Sequence, residues 1–337
     1  MSQSHHHPPR PQLPLSSTIH PDILRTHILT RLDGPTLASA ACASTELNSI
    51  ASDQELWAAL CRSTWPSTDD PRLRHVISTF PDGPRSFFAD SFPLVDTSRT
   101  KSTPSSDHDH PSEIISAVDL HYRNQLIFAK VVETETVSEW FRCAPFRIDM
   151  LEPKDTCPTP VPQPKTEKCC QELAEELTLS WILVDPAGKR AVNLSSHKPV
   201  MVQRHWLSGD VHARFSAIVG GERGSTSEFA NCGIVVTWGA GGVHVREVSL
   251  QVEDTERMFL SGKHSLEILQ RALEGKKGRR GIREEEARRR YEEFVELKSE
   301  RKERQMRSEG RLDTMCVAFG VLLFASLGLF ICNILYS

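Results

Sequence analysis

The sequence has no Cys-x-x-Cys pair, no Gly-Lys-Ser/Thr phosphate-loop ending, and no surplus of either charge sign. Each absence narrows the function. The cysteines number nine, an odd total at scattered positions. The three that lie closest, Cys157, Cys169 and Cys170, include an adjacent pair that is poorly spaced for a tetrahedral metal. No apolar stretch stands near the amino end, so a secretory leader is not expected and the thiols point to a reducing, cytosolic or nuclear setting. Forty basic against 44 acidic residues, a net charge of -4, make no case for nucleic acid. Gly220 to Thr226 is the nearest approach to a phosphate loop; it reads as an ordinary loop. His197, His205 and His212 flank predicted strands without a nucleophile or acid to complete a set. A non-enzyme with no cofactor and no metal is expected.

What is present has three parts. Residues 1–14 are polar and rich in His and Pro, a disordered lead-in. Pro21 then opens an apolar series, Ile23, Leu24, His27, Ile28 and Leu32, whose spacings of three and four define one helical face. Asp33-Gly34-Pro35 ends that helix. Thr36 caps a second helix through Leu37, Ala40, Ala41 and Leu47. Ser52 or Asp53 caps a third, which holds Leu56, Trp57 and Leu60. So small a module cannot bury every apolar face by itself, and a groove on a partner is the natural remedy.

The order Pro21, Ile23-Leu24, Ile28-Leu29, Leu32, Cys42, Leu56-Trp57 resembles the F-box, with Ile19-His20-Pro21 standing where most members have Leu-Pro. Leu60 to Ser67 (LCRSTWPS) and Arg85 to Pro93 (RSFFADSFP) resemble the plant F-box family that includes the cytokinin-induced F-box proteins, whose members also end in a hydrophobic segment. The resemblance implies docking to the Skp-type adaptor of a cullin ubiquitin ligase. It implies an adaptor surface drawn from Ile19, Pro21, Ile23, Leu24, Ile28, Leu29, Leu32, Leu37, Leu56 and Trp57. The aromatic run Trp65, Phe80, Phe87, Phe88 and Phe92 reads as core joining this module to the next domain.

After a Ser/Thr/Asp/Pro-rich linker over 97–112, the periodicity changes to two. Leu126 to Val132 favours strand, Phe146, Ile148 and Met150 alternate, and Leu177, Leu179, Trp181 and Leu183 form a half-buried strand. Asp185 to Gly188 turns the chain toward Val192 and Leu194. Further strands are expected at 200–202, 211–219, 233–238 and 243–252, the last with a bulge where its apolar parity flips. Glu152 to Cys170, with five prolines, reads as a loop. The sum is an antiparallel, sandwich-like or jelly-roll-like domain. Arg204, His205 and Trp206 are the candidate target-contact residues, with Trp206 equally suited to core.

From Ser265 the helical period returns. Gly275 to Gly281 is a basic, glycine-rich hinge. Ile282 to Arg311 reads as a single charged stalk, with Glu and Arg four apart at 284/288, 285/289, 286/290, 300/304 and 303/307. Met315 to Tyr336 is 22 residues without a charge, long enough to cross a bilayer, with Arg304, Arg307 and Arg311 on its amino side.

The expected fold class is therefore α+β: a three-helix F-box (15–65), an aromatic connector and linker (66–112), an antiparallel β-sandwich-like target domain (113–260), a charged helical stalk (261–311) and one transmembrane tail helix (315–336). The expected function is target recognition in an SCF-type ligase. The partners are the Skp-type adaptor, the cullin, an unknown protein substrate, and a membrane, the endoplasmic reticulum or another endomembrane, with the amino end in the cytosol. Two other readings are a non-degradative membrane-bound F-box scaffold, for instance in endomembrane lipid or sterol metabolism or the cytokinin response, and a lectin-like membrane-bound binding protein.

Overall fold

A computed structural model describes residues 20–93, 111–221, 228–239, 244–256, 258–275 and 284–335. The lead-in, Ile19, nearly all of the 97–112 linker, most of the Gly220 stretch, most of the basic hinge and Tyr336 fall outside those residues.

The fold is built on two central strands that are apolar on both faces. β1 (Glu113–Tyr122) and β5 (Leu177–Asp185) pair antiparallel in a four-stranded sheet of order β2-β1-β5-β6, with β2 at Gln125–Glu135 and β6 at Arg190–Asn193. Ile114, Val118 and Leu120 of β1 share one face with Leu179, Trp181 and Leu183 of β5. Ile115 and Ala117 share the other with Ile182 and Val184. Burial on both sides erases the alternation that marks a half-buried strand, and β1 accordingly escapes the periodicity reading.

The first of these faces meets a larger sheet of order β3-β10-β9-β8-β7, with β4 also paired to β10. Its strands are β3 (Arg147–Asp149), β4 (Cys157–Pro158), β7 (Met201–Arg204), β8 (Val211–Gly220), β9 (Phe229–Trp238) and β10 (His244–Glu253). Phe215, Ile234, Val236, Val248 and Leu250 supply its side of the core. The expected sandwich and hairpins form, and the parity flip in β10 is a bulge between Val245 and Glu247. The 152–170 loop contains more order than its prolines suggested. Thr166 caps α8 (Glu167–Glu176), accepting from Cys169 N–H at 3.3 Å. α7 (Glu139–Cys143) lies before β3, and α9 (Gly262–Glu274) packs on β8 and β6.

The second face of the four-stranded sheet carries the amino-terminal helices. A first helix begins at Pro21–Ile23 (α1), widens to π-helical Leu24–Ile28 and tightens to 3-10 geometry at Leu29–Arg31. α2 (Gly34–Ala41), α3 (Thr45–Ala51), α4 (Gln54–Thr64), α5 (Pro71–Ser78) and α6 (Pro84–Ser91) come next. The expected second helix is two, because Ser44 accepts from Leu47 N–H at 3.1 Å and starts a new one. Its cap is Asp33 rather than Thr36: Thr36 N–H donates to Asp33 Oδ1 at 2.9 Å, and bonding to Thr36 holds the Asp33 carboxyl below its usual pKa. Asp53 caps α4.

These helices and the sheet share one apolar cluster. Leu37, Trp57, Trp65, Phe87 and Phe88 pack in it with Ile115, Ala117, Ile182, Val184 and Ala191. Polar bonds stitch the seam: Trp65 Nε1 donates to Ser180 Oγ at 3.2 Å, and Ala191 N–H to Asp90 Oδ2 at 3.3 Å. Asp119 is fully buried there, accepting from Ser67 N–H at 2.8 Å and Ser67 Oγ at 2.5 Å.

Burial pushes the Asp119 pKa up to about 6, against the lowering effect of the Ser67 bonds. The folded state thus holds this proton more tightly than the unfolded state. The stability it lends is complete below about pH 4 and is lost as pH rises through about 6, a change on the order of 3 kcal/mol. We expect Asp119→Asn to remove that part of the pH dependence in urea unfolding between pH 4 and pH 7. Parallel profiles for the two proteins would contradict it.

α10 runs from Glu284 to Leu335. Its first half is not the free stalk the charge pattern suggests: it lies on the outer face of β8 and β9. Phe294 is 2% exposed, Lys298 pairs with Glu253 at 2.7 Å, and Arg301 donates to Thr255. Glu284 faces His197 and Lys198 rather than Arg288, which faces Glu175. Farther on, Glu300–Arg304 (2.9 Å) and Glu303–Arg307 (3.3 Å) form as expected.

The expected span over 315–336 is not carried by the described residues, among which no helix is long and apolar enough to cross a membrane. The unbroken described apolar run, 315–326, is twelve residues, short of the roughly 20 a bilayer requires. The side chains at 327, 330–333 and 335–336 lie outside the described ones.

Candidate functional site

Two surfaces gather the residues singled out from the sequence. The first is the outer side of the amino-terminal helices. Leu29, Leu37, Leu56 and Trp57 are interior, at 2%, 1%, 6% and 2% exposure. Trp57 Nε1 donates to Ala51 O at 2.7 Å, and Arg85 sits over its ring. Leu32 is partly buried against the same cluster. Pro21 is exposed and Leu24 half-buried. Ile23 and Ile28 stand out at 49% and 41% exposure. The ten candidates therefore divide into a buried frame and an exposed ridge, with Ile19 outside the described residues.

The π-helical turn shapes the ridge. Leu29 N–H bonds to Leu24 O, a five-residue step that widens the helix. Residues five apart then approach one side, and Ile23 and Ile28 come to a common face. Thr26 Oγ1 donates to Asp22 O at 2.7 Å and Thr30 Oγ1 to Thr26 O at 2.8 Å. Such back-bonding loosens an α-helical turn, and it is the one sequence-visible hint of this geometry. Arg25 pairs with Asp53, tying the ridge to the start of α4.

The second surface is the β7–β8 turn. His205 N–H donates to Asp210 O at 2.7 Å, and Gly209 N–H to His205 O at 2.9 Å. Gly209 takes a φ of 75°, a conformation that favours glycine. Ser208 N–H bonds His205 Nδ1 at 3.1 Å, and Gln163 Nε2 reaches Gly209 O at 3.1 Å. On this fixed base Trp206 is 87% exposed and Leu207 73%. Trp206 is thus surface rather than core, with exposed Arg204 and His205 beside it. His212 Nδ1 is 3.0 Å from Thr237 Oγ1, and burial lowers its pKa.

Among the described residues no three His, Cys, Asp or Glu side chains are placed to hold a metal. Cys157 lies in β4, while Cys169 and Cys170 lie in α8. Burial raises the Cys232 and Cys61 thiols to about 12, so neither is a thiolate at neutral pH. What both surfaces offer is exposed apolar and aromatic side chains on a fixed backbone.

No protein-family model matches the chain, and no solved structure matches it. Three Arabidopsis thaliana proteins do. It is 48% identical to Probable F-box protein At2g36090 over 319 residues, 94% of this chain and 93% of that protein. It is 44% identical to F-box protein At2g27310 over 326 residues, 94% and 96% of the two chains. It is 43% identical to F-box protein At3g44326 over 342 residues, 98% and 93%. At such identity over nearly the full length the chain belongs to the F-box proteins of plants.

Proposed function

We propose that this protein recruits targets to an SCF-type ubiquitin ligase, as a non-catalytic subunit. The observation that carries the reading is the exposed ridge of Pro21, Ile23 and Ile28, with half-buried Leu24 beside it, on the first helix of the amino-terminal module. Large apolar side chains in water suit a groove on a partner, and the Skp-type adaptor, itself bound to a cullin, is the partner an F-box implies. The β domain holds the target, with Arg204, His205, Trp206 and Leu207 as its leading contact residues. Catalysis of transfer belongs to other subunits; this chain contributes proximity. Mixing the purified full chain with a Skp-type adaptor should give a one-to-one complex on size-exclusion chromatography, and separate elution of the two would end the proposal.

The reading extends to a membrane tether through residues 315–336. Met315, Val317, Phe319, Val321, Leu322, Leu323 and Phe324 are each more than half exposed. At about 100° per residue they circle α10 completely, and a helix apolar all round belongs in lipid or in a core. Exposures of 55–79% leave these side chains uncovered by the described residues. Deleting 315–337 should release the protein from membranes in a carbonate wash that leaves the full chain bound; retention of the deletion form would remove the tether. A non-degradative scaffold remains the second reading, separated from the first by whether bound partners turn over faster when the ridge is intact.

A further inference from the structure

The end of the sandwich from which α10 departs carries apolar groups of its own. Val137 is 61% exposed, Trp140 81%, Met258 62% and Phe259 53%. They come from two segments that the fold knits together. Phe146 N–H bonds Leu260 O at 2.8 Å, and Gly262 N–H bonds Ala144 O at 2.9 Å. Gly262 allows this approach: a Cβ there would stand 2.1 Å from Phe141 O. The second segment also borders α10. Thr255 and Glu256 line a cleft of about 530 Å³ with Lys298, Arg301, Lys302 and Arg304; Lys298 is paired with Glu253 and Arg304 with Glu300, which leaves Arg301 and Lys302 against the Glu256 carboxylate. An apolar, aromatic rim thus adjoins a basic cleft.

Strand register places this rim. Glu253, Asn231 and Ile218 stand at one end of the larger sheet, and Val211, Trp238 and Val245 at the other. α10 crosses from His197 and Lys198, which face Glu284, to Glu253, which holds Lys298. It therefore leaves the body at the rim end and continues to Met315, fourteen residues beyond Arg301, or roughly 21 Å. The Trp206 turn points the opposite way.

We propose that this rim is a second membrane contact: Val137, Trp140, Met258 and Phe259 enter the interface of an anionic leaflet, and Arg301 and Lys302 meet its phosphate headgroups. The inference rests on the tether proposed above. Aromatic and basic side chains together have the chemistry of the headgroup layer. The gap closes by a lean of α10 toward its docked side. Gly310, where an added Cβ would meet nothing within 4 Å, is a glycine inside the helix and so a place where it yields.

The test uses the full chain reconstituted in vesicles with brominated acyl chains, either phosphatidylcholine alone or with about one-third phosphatidylserine. The 315–336 segment holds no tryptophan, so quenching reports on the body. Wild type should show a quenched component that Trp140→Phe lacks. It should grow at least twofold with phosphatidylserine, and Arg301→Glu with Lys302→Glu should abolish that growth. Equal quenching of wild type and Trp140→Phe in carbonate-resistant vesicles overturns the second contact alone. Release of the full chain by carbonate overturns the tether and this inference together.

Discussion

Phe88→Ala lowers the stability of the whole chain by about 3–5 kcal/mol, the range for a large aromatic removed from a core. The ring is 4% exposed. Its centroid is 5.5 Å from Trp57, 5.1 Å from Trp65 and 5.1 Å from Phe92, with the last pair stacked. It also closes on Gly34, where a Cβ would stand 2.1 Å from Phe88 Cε1. Backbone contact of that kind leaves little freedom to collapse into the cavity, which favours the upper part of the range. The measurement is the urea midpoint at unchanged slope. Because the aromatic cluster continues into Ile115, Ile182 and Val184, sheet and helices should unfold in a single transition. A shift confined to a helical signal, with the β transition unmoved, would contradict the shared cluster.

Ile23→Glu combined with Ile28→Glu should weaken adaptor binding at least 100-fold while leaving the unfolding midpoint where it was. Burying an isoleucine at an interface contributes about 1.5–3 kcal/mol. With 49% of Ile23 and 41% of Ile28 still exposed, the two together give about 1.4–2.7 kcal/mol, close to the roughly 2.8 kcal/mol that a hundredfold change requires. The carboxylates add a desolvation cost in an apolar groove. Both side chains are substantially exposed in the free protein, so their replacement should cost the fold at most about 0.5 kcal/mol. Trp57→Ala would also reduce binding, but through an unfolded module, since its indole lies inside. Calorimetric titration of the double variant at full helicity separates the two causes. Undiminished affinity would displace the ridge as the docking face.

Much of this was legible in the sequence, and the gaps have physical causes. The alternation from Leu177 to Leu183 gave β5, and the parity flip in 243–252 gave the bulge at Arg246. The Pro21-to-Trp57 pattern marked the amino-terminal helical module of an F-box protein. It could not divide that module into frame and ridge, because Leu29 and Ile28 are neighbours of similar size with opposite fates, decided by a π-helical turn. β1 was missed because helices bury one of its faces and the second sheet the other. α8 is not legible because five prolines before Thr166 give the whole stretch the composition of a loop. In α10, Tyr291, Phe294, Val295 and Leu297 interrupt the charged sequence as a short apolar patch. Its partner is not legible: the outer face of β8 and β9 reads as polar, and Arg214, beside Tyr291, resembles any solvated arginine. Trp206 stayed ambiguous for the reason that tryptophan suits both core and contact surface; only the turn built on Gly209 decides it.

The seam of Ser67, Asp119, Trp65 and Ser180 has a consequence in mass action. Helices and sandwich that melt together cannot keep separate ligand accounts. Adaptor at a hundredfold excess over its Kd would raise the unfolding free energy of the entire body by about 2.7 kcal/mol, target surface included. A lesion deep in the sandwich would in turn surface as poorer adaptor capture, by depleting the folded population. Screens for docking mutants in this protein will then return residues that never approach the adaptor, and only comparison at equal folded fraction tells the two kinds apart.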